Sequence, residues 1–182
     1  IPCPAANQKG SKIKTITIAN ELAEAIYAVY TDRPVSDIFG GDFNEPSHLD
    51  WTAATAQLFD HHGMIVPWTV STMLAKAGYR DAYRVLFPNP LTHPGFTYPC
   101  YNPLADIQKL TWAPLSDERE RIDLIYYQGR NMRATDAKIF GPDTCVARCK
   151  PEKDTWNDPY LPPKGIWPTD HRGLFVTFEV GK

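Results

Sequence analysis

Val35-Ser36-Asp37-Ile38-Phe39-Gly40-Gly41-Asp42-Phe43-Asn44-Glu45-Pro46 reads as a short strand running out into a polar turn. Val35 to Phe39 is a brief apolar, β-favouring run bounded by turn formers. Gly40 and Gly41 allow the backbone to bend sharply and to come close to a ligand. Asp42 and Asn44 alternate across Phe43, so both side chains face one side wherever the extended geometry persists. A carboxylate beside a carboxamide suits holding a water and a phosphate oxygen together. The same residue types also build an ordinary turn after a strand, so the stretch acquires meaning only from its surroundings.

On its N-terminal side, Ile16, Ala19, Leu22, Ala23, Ile26, Tyr27 and Tyr30 recur at helical spacing and predict a helix over 13–31, ended by Pro34. On its C-terminal side, Trp51 to Phe59 predicts a helix stopped by Gly63. Thr72 to Lys76 predicts a shorter helix capped at Gly78. Residues 86–120 are rich in proline and turn formers, with an extended piece at Phe96 to Tyr98. Ile122 to Tyr127 is a strongly β-favouring run and Ala134 to Phe140 a weaker one. Gly141 to Pro168 reads mostly as loop, and Leu174 to Val180 closes the chain as a strand. Strands gathered late, without intervening helices, predict an α+β class.

The 182 residues, 43% of them hydrophobic, suffice for one domain spanning 1–182 with its own core. A net charge of −2 argues against strong nonspecific nucleic-acid binding, which needs a basic excess. No apolar run approaches the ~20 residues of a membrane span. Ile1-Pro2-Cys3-Pro4 is unlike a signal peptide, so a targeting segment is expected to have been removed or to lie upstream. The four cysteines, Cys3, Cys100, Cys145 and Cys149, predict disulfides and an oxidising, extracellular compartment. Of the three possible pairings, Cys145 with Cys149 and Cys3 with Cys100 is favoured, because the first closes only a small loop. Reduced thiols are the alternative, and a zinc site lacks a second ligand pair.

Two further polar clusters sit at strand ends. Arg121-Ile122-Asp123-Leu124-Ile125-Tyr126 places a carboxylate in an apolar strand, where it needs a partner. That partner is either a catalytic group or a neighbouring Arg121. Thr169-Asp170-His171 precedes the last strand, and an adjacent Asp and His can serve metal binding and proton handling. Asp60-His61-His62 ahead of Gly63 reads as a helix C-terminus rather than a metal cluster. His48 and His93 lie on loops near these clusters and are candidates for touching substrate, as is Arg121.

In this order, Gly-Asp-Phe-Asn at 41–44, Arg-Ile-Asp-Leu-Ile at 121–125 and Thr-Asp-His at 169–171 resemble the motifs of the endonuclease/exonuclease/phosphatase (deoxyribonuclease-like) superfamily. Gly95-Phe96-Thr97-Tyr98 matches its Gly-x-Thr-aromatic element. The longer strings at 41–51 and 93–98 are similar to a microbial, often secreted subgroup of undetermined substrate. The resemblance implies a four-layered α/β sandwich, two packed mixed β-sheets flanked by helices, of which this chain is the C-terminal half. It further implies a divalent-metal-dependent phosphoester hydrolase, a phosphodiesterase, nuclease or phosphatase, acting by water attack on phosphorus. Asp42 would orient the attacking water and Asn44 would hold a phosphate oxygen. Asp170 would bind Mg²⁺ or Mn²⁺, hard cations that prefer oxygen. His171 would bind phosphate or shuttle a proton, oriented by Asp123.

Two departures accompany the resemblance. Thr169 stands where Ser is more usual, which keeps the hydroxyl. The family's N-terminal Asn, its metal-binding Glu in a Gln-Glu pair and its Asn-x-His element have no match before Asp42, and Glu21 and Glu24 lie in the wrong context to replace that Glu. A companion polypeptide supplying the N-terminal half is therefore expected. The alternative reading is a catalytically silent assembly or binding module that keeps the fold. The substrate stays open among nucleic acid, nucleotides, sugar phosphates and phospholipid headgroups.

Overall fold

A computed structural model describes residues 38–181, which lie in one compact unit. The expected helix over 13–31, the start of the first strand and Cys3 lie outside the described residues. Within them the architecture is mixed α/β, with several small sheets and few helices. No described helix is long and apolar enough to cross a membrane.

The first sheet has β3 (Asp123–Tyr127) at its centre. β1 (Ile38–Asp42) and the two-residue β2 (Arg80–Asp81) pair antiparallel with it on either side. The second sheet centres on β4 (Met132–Phe140), which pairs antiparallel with β8 (Gly173–Val180) and parallel with β7 (Tyr160–Leu161). A separate hairpin joins β5 (Thr144–Ala147) to β6 (Lys150–Lys153). The β-rich runs expected at Ile122–Tyr127, Ala134–Phe140 and Leu174–Val180 are all strands. The stretch expected to be mostly loop, 141–168, carries the hairpin and β7.

Of the expected helices, the one ending at Gly78 forms as α1 (Thr69–Lys76). Gly78 has φ +90°, and Tyr79 N–H reaches the Leu74 carbonyl at 3.0 Å, the long bond of a left-handed helix end. The helix expected over Trp51–Phe59 does not form. Thr55, Leu58 and His61 instead donate to carbonyls three residues back, giving successive turns. Thr55 supplies a physical reason: its hydroxyl donates to the carbonyls of Asp50 and Thr52, competing with the helical bonds. Asp60-His61-His62 therefore ends no helix; His61 is buried, stacked on Trp51, and faces Glu120. A helix not anticipated, α2 (Ala82–Leu86), starts where the Asp81 carboxylate accepts the N–H groups of Tyr83 and Arg84.

Two apolar clusters hold these pieces together. Ala82, Tyr127 and Ala134 are buried with Leu86, Ile125, Val176 and Phe178 packed around them, and Tyr83, Ala137 and Ile139 form a second group. α2 thus rests on both main sheets. Beneath it lies an ion-pair network. Asp50 binds the guanidinium groups of Arg84 and Arg121, and Asp81 accepts two bonds from Arg121 at 2.7 and 3.1 Å. Burial works against the charge on Arg121, but Asp50 and Asp81 more than offset it and raise its pKa.

Candidate functional site: two carboxylates and a histidine

The antiparallel register of β1 and β3 sets Asp42 directly opposite Asp123. Phe43 N–H donates to the Ile122 carbonyl at 2.9 Å just beyond this pair. The strand bearing Asp123 is fastened by Thr97, whose buried hydroxyl oxygen accepts the N–H groups of Ile122 and Asp123, each at 3.0 Å. The Thr97 carbonyl accepts the N–H of Arg172 at 2.7 Å, and the Asp170 carbonyl accepts the N–H of Cys100 at 2.6 Å. The segment 97–100 therefore lies between the start of β3 and the loop before β8. That placement brings His171 to Asp123.

His171 Nδ1 lies 2.9 Å from Asp123 Oδ2, and both side chains are partly exposed. Ligand atoms of Asp42, Asp123 and His171 all fall within 4.8 Å of one another. The hydrogen bond to Asp123 raises the His171 pKa, desolvation opposes it, and the charges of Asp123, Asp42 and Asp170 add to the rise. Tyr98 packs its ring 5.0 Å from the imidazole. Three carboxylates thus act on one imidazole in a partly open setting, a local excess of negative charge suited to a cation.

Asn44 is close to this group but is turned onto it. Its φ is +50°, its N–H donates to Asp42 Oδ1 at 2.9 Å, and its side-chain amide donates to Oδ2 at 3.2 Å. The turn is at once an ordinary Asx turn and a device that aims Asp42. Asp170 stands beside His171 without joining the group of three; the Thr169 hydroxyl donates to its carboxylate at 3.3 Å. The three remaining candidates have partners of their own. His48 is held by Ser71, its Nδ1 2.9 Å from the hydroxyl. His93 stacks on Phe87 with ring centroids 4.7 Å apart and contacts Thr92. Arg121, 1% exposed, is bound by Asp50 and Asp81 rather than by Asp123.

The sequence reading omitted Thr97, Tyr98 and Glu45 from the site. Thr97 and Tyr98 were within reach of it, since they complete the quoted Gly-x-Thr-aromatic element. Gly95 in that element has φ +74°, and a Cβ there would meet Tyr83 Cε1 at 2.6 Å and Arg121 Cδ at 2.9 Å. Glu45 accepts the N–H of Val70 at 2.7 Å and so secures the start of α1.

The cysteines differ from expectation. Cys100, Cys145 and Cys149 form no disulfide with one another in this structure. Cys149 lies at a two-residue hairpin turn with Arg148, both at positive φ, whereas Cys145 is buried inside β5 opposite Glu152. The favoured Cys145–Cys149 pair is thereby split between a turn tip and an interior.

Comparison with known proteins adds one relative. The chain is 28% identical over 147 residues to an uncharacterized protein of Caenorhabditis elegans, a match covering 81% of this chain and 41% of that protein. The chain thus spans about two fifths of the relative's length. No family model matches the chain, and no solved structure does.

Proposed function

We propose that this chain carries the aspartate and histidine side of a divalent-metal-dependent phosphoester hydrolase of the endonuclease/exonuclease/phosphatase kind. The observation that carries the reading is the Asp42–Asp123–His171 group, drawn from three separated motifs to within 4.8 Å. Two opposed carboxylates offer several oxygen lone pairs, a donor set suited to Mg²⁺ or Mn²⁺. In this reading Asp42 and Asp123 hold the cation and Asp170 adds negative charge beside them, a departure from the assignment of Asp170 as the ligand. When bound, the cation neutralises charge developing on the phosphate oxygens and makes a nearby water more acidic.

The chain's own groups do the rest. Asp42, aimed by Asn44, orients the attacking water. Asp123 fixes the imidazole of His171 through Nδ1 and favours its protonated form, leaving Nε2 to meet a phosphate oxygen or hand a proton to the leaving group. Thr97 holds both elements in position. His48, His93 and Arg121 take no part.

The proposal extends to the fold: the two sheets are the C-terminal half of a four-layered sandwich, completed by a companion polypeptide. The largely exposed β1 at the edge of its described sheet supports that reading. Titration calorimetry with Mn²⁺ tests the metal claim. The full-length protein should bind about one ion, with affinity falling at least tenfold in both Asp42→Asn and Asp123→Asn. Equal binding by all three proteins would overturn it.

A further inference from the structure

Cys100 and Cys145 meet in an isolated antiparallel bridge that joins the 97–100 segment to β5. Its hydrogen bonds flank the pair: Tyr101 N–H donates to the Thr144 carbonyl and Val146 N–H to the Pro99 carbonyl, each at 3.0 Å. The cysteines therefore occupy a non-hydrogen-bonded position, the closer of the two antiparallel pairings. Side chains directly opposite in such a ladder lie on the same face. Cα atoms at this kind of position are about 4.5 Å apart, at the near edge of the roughly 4.4–6.8 Å span a disulfide needs. Both residues are 0% exposed. The Cys100 sulfur lies 3.9 Å from the Thr144 carbonyl oxygen, on the strand that carries Cys145.

We infer that Cys100 and Cys145, unbridged in this structure, join as a disulfide pair when the protein is oxidised, a cross-strand bridge that ties the β5–β6 hairpin to the segment holding the Asp170–His171 loop. The inference is independent of the proposed hydrolase chemistry.

The bridge forms by thiol–disulfide exchange with a small-molecule disulfide such as oxidised glutathione. One cysteine thiolate attacks a glutathione sulfur, making a mixed disulfide and releasing one glutathione thiolate. The second cysteine thiolate then attacks the protein sulfur of that mixed disulfide, forming the Cys100–Cys145 bond and releasing the other. The two protein thiols lose two electrons and two protons, and the glutathione disulfide gains them. Burial pushes the Cys100 thiol up to about 11 and raises Cys145 as well, although Arg172 counters both. Neither is a reactive thiolate once folded, so the exchange belongs to folding, before the pair is enclosed.

The test refolds the full chain from reduced, denatured protein in a buffer of reduced and oxidised glutathione. Free thiols are then alkylated, and the chain is digested without reductant for mass analysis. Cleavage after Lys9, Arg84, Lys109, Lys138 and Arg148 puts the four cysteines on separate peptides. The expected product joins residues 85–109 to 139–148, with Cys3 and Cys149 alkylated. Cys149→Ala, which alters only the hairpin tip, should give the same cross-link. A Cys145–Cys149 or Cys3–Cys100 link, or alkylation of all four cysteines in folded protein, would overturn the inference.

Discussion

Asp42 and Asp123 oppose one another across the β1–β3 ladder, two carboxylates in direct register, with His171 bonded to Asp123 and the Asn44 amide groups bonded to Asp42. Like charges directly opposite in an antiparallel pair are destabilising, by about 0.2–1 kcal/mol. A fold that keeps them gives up stability for a charged site. At a pH high enough to deprotonate His171, and with EDTA present, Asp42→Asn should therefore raise the urea midpoint modestly. Adding Mn²⁺ should stabilise the wild type and leave the variant almost unmoved. A variant less stable than wild type in EDTA would show that the pair is not repulsive.

His171 carries a pH dependence whose sign follows from its raised pKa. The folded protein holds the proton more tightly than the unfolded chain. The resulting stabilisation is complete below the unfolded value, about 6.5, and is lost as pH rises through the folded value. In EDTA, the difference in unfolding free energy between wild type and His171→Gln should shrink as pH rises from below the unfolded value through the folded one. A difference that grows over that range would contradict the Asp123–His171 pair.

Arg121 is expected to matter to stability and not to substrate binding. Arg121→Ala strips Asp81 of its bidentate partner in a buried setting, a loss of about 3–5 kcal/mol in chemical unfolding. Arg121→Lys should recover only part of it, since one ammonium cannot reproduce the guanidinium fork. A fully stable Arg121→Ala protein with a raised KM would restore it to the site.

Thr97→Val tests the clamp on Asp123. The two N–H groups that the hydroxyl accepts would lose their partner, at a cost of about 1–3 kcal/mol. Valine keeps the side-chain volume, so the loss should come with a drop in kcat. Thr97→Ser, which retains the hydroxyl, should keep turnover close to that of the wild type. Unchanged stability and turnover in Thr97→Val would show that the clamp does not position Asp123.

How much of this was legible in the sequence depended on whether the deciding partner was local. β3 and β8 declare themselves through β-branched and aromatic runs that need no distant information. The Asp42, Asp123 and His171 motifs were readable as chemistry, and the structure brings them together. The β5–β6 hairpin was hidden because Arg148-Cys149 is no usual turn signature and Pro151 weakens the strand pattern. The ion pairs of Arg121 were not legible because its partners, Asp50 and Asp81, lie 71 and 40 residues away, while Asp123 is two positions along. The turns at 51–61 escaped because an apolar pattern does not report Thr55 competing for backbone carbonyls.

The most direct test of the proposed chemistry is hydrolysis of an aryl phosphodiester by the full-length protein with Mn²⁺, measured beside His171→Ala and Asp123→Asn. The account predicts turnover that EDTA abolishes and Mn²⁺ restores, with kcat lowered about 10²–10⁴-fold in His171→Ala, the usual contribution of a positioned acid or base. Turnover indifferent to EDTA and to both substitutions would contradict it, as would the absence of hydrolysis by protein that binds Mn²⁺ at this site.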